Sequence, residues 1–322
     1  MEMIIIGLGK MGTGFASQAL KNGIKVTGLT LGDPPVELVE NGIRVAKNLD
    51  EVCSMTSSPR KIFLYVPAGP VVEEYIEKFI DLLNEGDIVM DGGNSYWGDS
   101  IRRYHRLKEV GVNFLDVGTS GGISGAREGA CFMIGGDKKV FEEVKSIFIS
   151  MASPDAVSYI GPAGCGHLVK LIHNGIEFGM LQAIGEGMAL LEKCREQIPI
   201  DMEAVFSIYR NGSVIRSWLI DLMGQQYKEQ GGVLNVPAFV EDTGEVNWLL
   251  NDALRLEVPI PVISQSVMEL FRSRDDKKID YRSVAMMRHG FGGHPFGPKE
   301  ELRFERATSR ISHDFIEFRD RH

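Results

Sequence analysis

The sequence predicts an α/β fold, a Rossmann-type doubly wound parallel sheet over residues 1–161 followed by an all-helical domain over residues 162–322. Three observations carry this reading. In the first half, short apolar runs alternate with helix-length stretches, and strands joined by helices form parallel βαβ units. Gly7-Leu8-Gly9-Lys10-Met11-Gly12 directly follows the first apolar run and opens a helix. Beyond Gly161 the strand signals nearly vanish, and a proline-free stretch over residues 163–195 begins a series of helical patterns.

Taken in order, residues 3–6 read as a strand, and residues 11–21 as a helix stopped by Asn22-Gly23, a common C-cap pair. Residues 24–29 form the next strand. Residues 62–66, 87–90, 112–117 and 130–134 are further short runs rich in β-branched or aromatic residues. Helical stretches at 70–83, 99–109 and 137–151 lie between several of them. In the second half the helical patterns continue at 201–210, 213–228, 245–256 and 261–273. Residues 299–322 alternate charges with occasional Phe and Ile, as a surface or intersubunit helix does.

Composition narrows the function. A chain of 322 residues, 43% hydrophobic and 25% charged, is long enough for two cores. A net charge of -9 argues against a nucleic-acid surface, which needs a clustered basic footprint. A small anionic substrate remains compatible, because a few local cations dominate a small pocket. Cys53, Cys131, Cys165 and Cys194 are scattered and form no CxxC pair, which suits free thiols in a reduced, cytoplasmic setting. Ile4-Ile5-Ile6 is too short to span a membrane and lacks the flanks of a signal peptide. No metal site is expected. His167 and His173 lie on one helix without a third ligand, and His167 reads as a packing or capping residue.

The glycine motif has a physical purpose at each position. Gly7 permits the tight turn, Gly9 lets the backbone approach a pyrophosphate, and Gly12 allows close packing of helix on strand. Lys10 and Met11 begin the helix, whose free N–H groups face the phosphates. The second strand should end on the residue that meets the adenosine ribose, acidic in NAD-binding folds and with a basic neighbour in NADP-binding folds. Thr30 stands there and is neither. Asp33 either accepts from the ribose 2′-hydroxyl or is a turn residue before Pro34-Pro35. No Arg or Lys lies in this loop, so NAD is preferred over NADP as the expected cofactor.

Ligands of open α/β sheets bind outside the carboxyl ends of the strands. Three such ends are polar and glycine-rich: Val66-Pro67-Ala68-Gly69, Asp91-Gly92-Gly93-Asn94-Ser95 and Gly118-Thr119-Ser120-Gly121-Gly122. Together they predict a lined cleft, with Val66, Pro67, Ala68 and Asn94 towards the cofactor. Asn94 can both donate and accept, while Ser120, Gly121 and Gly122 suit a carboxylate. On the proline-free helix, Lys170, His173, Asn174 and Glu177 fall at i, i+3, i+4 and i+7. This spacing makes one polar stripe ~10 Å long. Leu168, Val169, Leu171, Ile172 and Ile176 between them are apolar. A shielded Lys with a lowered pKa serves as general base on a hydroxyl, and a carboxyl two turns away serves as acid.

With these segments in hand, the chain resembles the 6-phosphogluconate dehydrogenase family, within the β-hydroxyacid dehydrogenases. The strongest marker is Lys170-x-x-His173-Asn174-Gly175-x-Glu177. Ile215-Arg216-Ser217, Glu241–Glu245 and Arg288–His294 extend the resemblance over most of the chain. The length matches the short, mostly NAD-linked form. The resemblance implies that Lys170 takes the proton of the substrate 3-hydroxyl and then assists loss of carbon dioxide. It implies that Glu177 protonates the enediol to give a ketopentose, and that Ser120, Gly121, Gly122, His173 and Asn174 hold the sugar acid. Arg216, Arg288 and His294 would clamp a terminal phosphate, the last two from a neighbouring subunit of a homodimer or homotetramer. The chain departs from the family at Phe178, where a Tyr is usual, at Val246-Asn247-Trp248-Leu249, and at Thr30. These departures weaken the phosphate contacts and leave the catalytic ones intact, so a differently substituted sugar acid stays open. A non-decarboxylating 3-hydroxyacid dehydrogenase and a cofactor-binding protein without catalysis are the competing readings. Glu177 argues against the first, and Lys170 against the second.

Overall fold

The first apolar run forms β1 (Glu2–Ile6), in which Met3, Ile4, Ile5 and Ile6 are all buried, as a strand between two helical layers must be. Around it the computed structural model, which describes residues 1–308, builds an eight-stranded sheet. The chain continues through α1 (Lys10–Lys21), β2 (Lys25–Leu29), α2 (Val36–Glu40), β3 (Arg44–Ala46), α3 (Leu49–Met55) and β4 (Lys61–Leu64). Next come α4 (Pro70–Leu82), β5 (Ile88–Asp91), α5 (Trp97–Glu109), β6 (Asn113–Ser120), α6 (Gly122–Glu128) and β7 (Ala130–Gly136). The sheet part closes with α7 (Lys138–Ser150) and β8 (Ala152–Gly161). The strand order is β3-β2-β1-β4-β5-β6-β7-β8. Phe15, Phe63, Phe132 and Phe148 fill the core on one face, and Ile4, Leu64, Phe79 and Phe114 fill it on the other.

The expectation of parallel pairing throughout needs one correction. β7 runs antiparallel to β6, with Ser120 opposite Cys131, while the other pairs are parallel. Only α6 links the two strands, and this return is shorter than the roughly dozen residues a parallel crossover needs. The elements β3, β8, α2, α3 and α6 were not expected. β3 is three residues long, too short for an alternation to register. β8 carries Pro154 and Asp155, which an edge strand tolerates.

After the sheet comes α8 (Cys165–Arg195), a single helix of 31 residues. It is followed by α9 (Met202–Arg210), α10 (Trp218–Gln230), a short 3-10 turn at Val233–Asn235, α11 (Glu245–Arg255) and α12 (Pro261–Arg274). The helix expected from residue 213 begins only at Trp218. Ser217 caps it by accepting from the Ile220 N–H at 3.3 Å, and Ser213 holds a local turn by accepting from the Ile215 N–H at 3.2 Å. The chain forms two compact units, Met1–Glu269 and Leu270–His322. The second holds α13 (Ile279–Gly292), which buries no residue, and α14 (Glu300–Thr308). Residues 309–322 of the expected terminal helix lie outside the described residues. Among the described residues no helix is long and apolar enough to cross a membrane.

Candidate active site

The seat of α8 decides where the polar stripe lies. Asp116 on β6 is fully buried, and its two carboxylate oxygens accept from the Gly164 N–H at 2.7 Å and the His167 N–H at 2.9 Å. It thus satisfies donors that every helix N-terminus leaves free and places a negative charge at the positive end of the helix dipole. A Cβ on Gly118 would lie 2.6 Å from both the Gly166 carbonyl oxygen and Lys170 Cβ. The missing side chain lets α8 rest directly on β6, with Lys170 less than two turns beyond the Gly164 cap. The His167 side chain is buried, with Nδ1 2.7 Å from Ser100 Oγ on α5, a packing role as expected.

Lys170, His173, Asn174 and Glu177 all line a cavity of about 790 Å3 at the carboxyl ends of β4, β5 and β6. Met11, Val66, Asn94, Ser120, Gly121 and Gly122 line it as well, so the three polar strand ends do converge on the helix stripe. The loop carrying Asn94 is fixed from beneath. Buried Asp91 accepts from the Gly93 N–H at 3.1 Å and from Ser95 Oγ at 2.7 Å. It also pairs with fully buried Arg103 at 3.1 Å, and Arg103 in turn reaches Glu73 at 2.8 Å.

The polar side chains form a continuous network. His173 Nε2 lies 3.0 Å from Ser120 Oγ, and His173 Nδ1 lies 3.3 Å from both Lys170 Nζ and Asn174 Oδ1. Asn174 donates to Asn94 Oδ1 at 3.3 Å, and Asn94 donates to Glu245 Oε1 at 2.7 Å. Burial pushes the Lys170 ammonium below the ordinary lysine range, against the opposing pull of Glu177 and Glu245. Burial likewise lowers His173, helped by the positive charge of Lys170. The site therefore presents a lysine whose proton is held less tightly than usual, a carboxyl two turns away, and amides to orient a hydroxyl. Glu245, the first residue of α11, is the functional candidate that sequence reasoning passed over. The segment Glu241–Glu245 carries the family resemblance, but nothing in its spacing marks Glu245 itself.

The glycine turn has the form a dinucleotide needs. Gly7 has φ +94°, and a Cβ there would meet the Tyr65 carbonyl oxygen at 2.3 Å. Gly12 packs against Gly7, whereas Gly9, the N-cap of α1, has open space where a Cβ would be. No side chain caps α1, so its first N–H groups remain available to a phosphate, and Lys10 beside them is exposed. A second cavity of about 580 Å3 opens at the end of β2, lined by Thr30, Lys47, Asp50, Tyr75, Lys78 and Asp81 among others. The two lysines come from the segment after β3 and from α4, and neither was visible from the β2 loop alone. Asp33 is exposed and does not line this cavity, and neither Pro67 nor Ala68 lines either one. Arg216 is exposed just before Ser217, which does line the larger cavity. Arg288 on α13 and His294 just beyond it belong to the second compact unit. Among the described residues no group of three or more His, Cys, Asp or Glu is placed to hold a metal ion.

Residues 2–161 match the NAD binding domain of 6-phosphogluconate dehydrogenase, and residues 166–301 match the 6-phosphogluconate dehydrogenase C-terminal domain. The chain belongs to the 6-phosphogluconate dehydrogenase family. Similar proteins include the YqeC protein of Bacillus subtilis, 40% identical over 91% of this chain and 98% of that one. The NAD(+)-dependent, decarboxylating 6-phosphogluconate dehydrogenase of Haloferax volcanii is 35% identical over 94% of this chain and 100% of its own length. Among solved structures, the Plasmodium falciparum 6-phosphogluconate dehydrogenase, determined in its apo form, with NADP+ and with 6-phosphogluconate, superposes with a TM-score of 0.76 at 26% identity. That match covers 95% of this chain and 69% of the other.

Proposed function

We propose that this chain oxidises and decarboxylates 6-phosphogluconate to ribulose 5-phosphate with reduction of NAD or NADP. The observation that carries the proposal is the placement of Lys170, Asn174 and Glu177 around one cavity, where burial lowers the lysine's pKa. The nicotinamide cofactor, when bound, supplies the hydride acceptor, and the open face of Gly9 with the uncapped start of α1 fits its pyrophosphate. Lys170 accepts the proton of the 3-hydroxyl as that carbon is oxidised. The resulting ammonium polarises the ketone and favours loss of carbon dioxide from the β-keto acid. Glu177 protonates the carbon left behind. Ser120, Gly121, Gly122 and His173 hold the sugar carboxylate and hydroxyls, with Asn94 and Asn174 orienting the reacting one.

One observation favours a second reading, a sugar acid that lacks the terminal phosphate. Among the described residues lining the cavity, Lys170 is the one Lys or Arg, beside Glu177 and Glu245, and Phe178 offers no hydroxyl. In the first reading Arg216 and a second copy's Arg288 and His294 supply the missing cations. Support for that homodimer or homotetramer comes from α13, where Tyr281, Val284, Met286, Met287 and Phe291 are exposed. The same reading puts the enzyme in the cytoplasm, where its free cysteines stay reduced.

Turnover of 6-phosphogluconate by wild type and by Lys170→Ala tests the assignment. The variant is expected to bind NAD with unchanged affinity and to lose turnover by about 10²–10⁴-fold. Full activity in the variant would overturn the mechanism. Turnover of gluconate in preference to 6-phosphogluconate would select the second reading.

A further inference from the structure

We propose that Glu245 is a positioning residue whose carboxylate sets the direction of the chain Glu245–Asn94–Asn174–His173, so that the single ring proton of His173 sits on Nδ1, beside Lys170. Glu245 is the one group in this chain whose hydrogen-bonding role has no alternative. A carboxylate only accepts hydrogen bonds, whereas an amide presents a donor at one end and an acceptor at the other. Thr243 Oγ1 donates to Glu245 Oε2 at 2.5 Å, and Oε1 lies 2.7 Å from the Asn94 amide. That amide must therefore turn its NH2 to Glu245, which leaves Asn94 Oδ1 facing Asn174. Asn174 then gives its NH2 to Asn94 at 3.3 Å, and its oxygen is left 3.3 Å from His173 Nδ1.

The environment of Nδ1 completes the chain. A second acceptor, Glu177 Oε2, lies 3.7 Å from the same nitrogen. A bare Nδ1 would set its lone pair against two oxygens, whereas Nδ1–H donates to Asn174 Oδ1 and faces the more distant Glu177 carboxylate favourably. Nε2 is then the unprotonated nitrogen and accepts from Ser120 Oγ at 3.0 Å. Lys170 Nζ, 3.3 Å from Nδ1, also senses the difference. An ammonium would point N–H at N–H, while a neutral amine can turn its lone pair towards Nδ1–H and avoid that repulsion. The chain thus ends by favouring the form of Lys170 that can take a proton. Glu245 sits in the first turn of α11 after Gly244 in the left-handed region, where a helix N-terminus stabilises a carboxylate. It reaches from the helical part of this compact unit to the loop after β5. The chain therefore completes itself only when the two sides of the cleft are in register.

The kinetic side of this inference rests on the proposed reaction, but its structural side does not. The ring nitrogens of His173 are read by 15N NMR, with its signals identified by their loss in His173→Gln. Wild type is expected to show the Nδ1–H tautomer, and Glu245→Gln, which keeps the size but can present either amide end, to revert to the more ordinary Nε2–H form. The remaining histidines report whether the variant keeps its fold. Glu245→Gln should also lower kcat by about tenfold, a fraction of a general base's contribution, with the KM for NAD unchanged. An Nε2–H tautomer in wild type, or an Nδ1–H tautomer that survives in Glu245→Gln, would overturn the proposal. A wild-type protein with the Nδ1–H tautomer and no turnover of 6-phosphogluconate would support the chain while refuting the reaction, so the two failures are distinct.

Discussion

Replacing Gly118 with Ala adds one methyl group at the contact that seats α8 on the sheet. That methyl carbon would stand 2.6 Å from the Gly166 carbonyl oxygen and 2.6 Å from Lys170 Cβ, where ordinary contacts begin at 3.4 Å. The shortfall is about 0.8 Å on both sides. It cannot be relieved by rotating a flexible chain end, because one neighbour is backbone and the other is the root of the Lys170 side chain. Moving the helix instead strains the bonds from Asp116 to Gly164 and His167 at 2.7 and 2.9 Å. Overpacking of this kind costs about 1–3 kcal/mol of stability. A displacement of the base by about 1 Å costs on the order of 10² in rate. Steady-state kinetics with both substrates, run beside a thermal melt, separates the two effects. The expected result is a fall of about 10² in kcat, a melting temperature lower by several degrees, and a KM for NAD within twofold of wild type. Activity within twofold of wild type would refute the claim that this contact positions Lys170.

Four further predictions rest on the geometry of the site. Asp116→Asn turns an amide N–H towards one of the two helix N–H groups it now caps, and should cost about 1–3 kcal/mol, read as a lower midpoint in urea; an unchanged midpoint would contradict the capping role. Turnover should rise with pH as Lys170 loses its proton, and because burial holds its pKa below the ordinary lysine range, activity should be present at a lower pH than a free lysine would allow. Glu177→Gln removes a charge that holds this pKa up, so the acidic limb of its residual rate should move to lower pH, and a shift to higher pH would refute the electrostatic assignment. At the cofactor site, Lys47 and Lys78 beside Thr30 should allow NADP alongside NAD, and removing either lysine should raise the KM for NADP by about tenfold with little effect on NAD; equal effects on both cofactors would place the lysines away from the 2′-position.

Much of the fold was legible because the signals were local. The glycine turn, the polar ends of three strands and the spacing of Lys170, His173, Asn174 and Glu177 each sit within a few residues, and the structure brings those strand ends and that stripe to one cavity. What was not legible depends on the meeting of distant segments. Asp116 is a strand residue whose purpose appears only when the start of α8 lies over it. Glu245 is far from Asn94 along the chain, and no periodicity links them. Lys47 and Lys78 reach the end of β2 through the crossover order of the sheet, so a search of the β2 loop could not find them. The reversal of β7 was a matter of connection length, which the alternating pattern of runs concealed.

The central claim is that oxidation and decarboxylation occur together in the cavity around Lys170. The most direct test incubates the purified protein with 6-phosphogluconate labelled at C1 and measures reduced cofactor and released carbon dioxide in the same reaction, with NAD and NADP in parallel. One carbon dioxide for each cofactor reduced, lost together in Lys170→Ala, is the result this account predicts. Cofactor reduction without carbon dioxide release would contradict it and make the chain a simple hydroxyacid dehydrogenase.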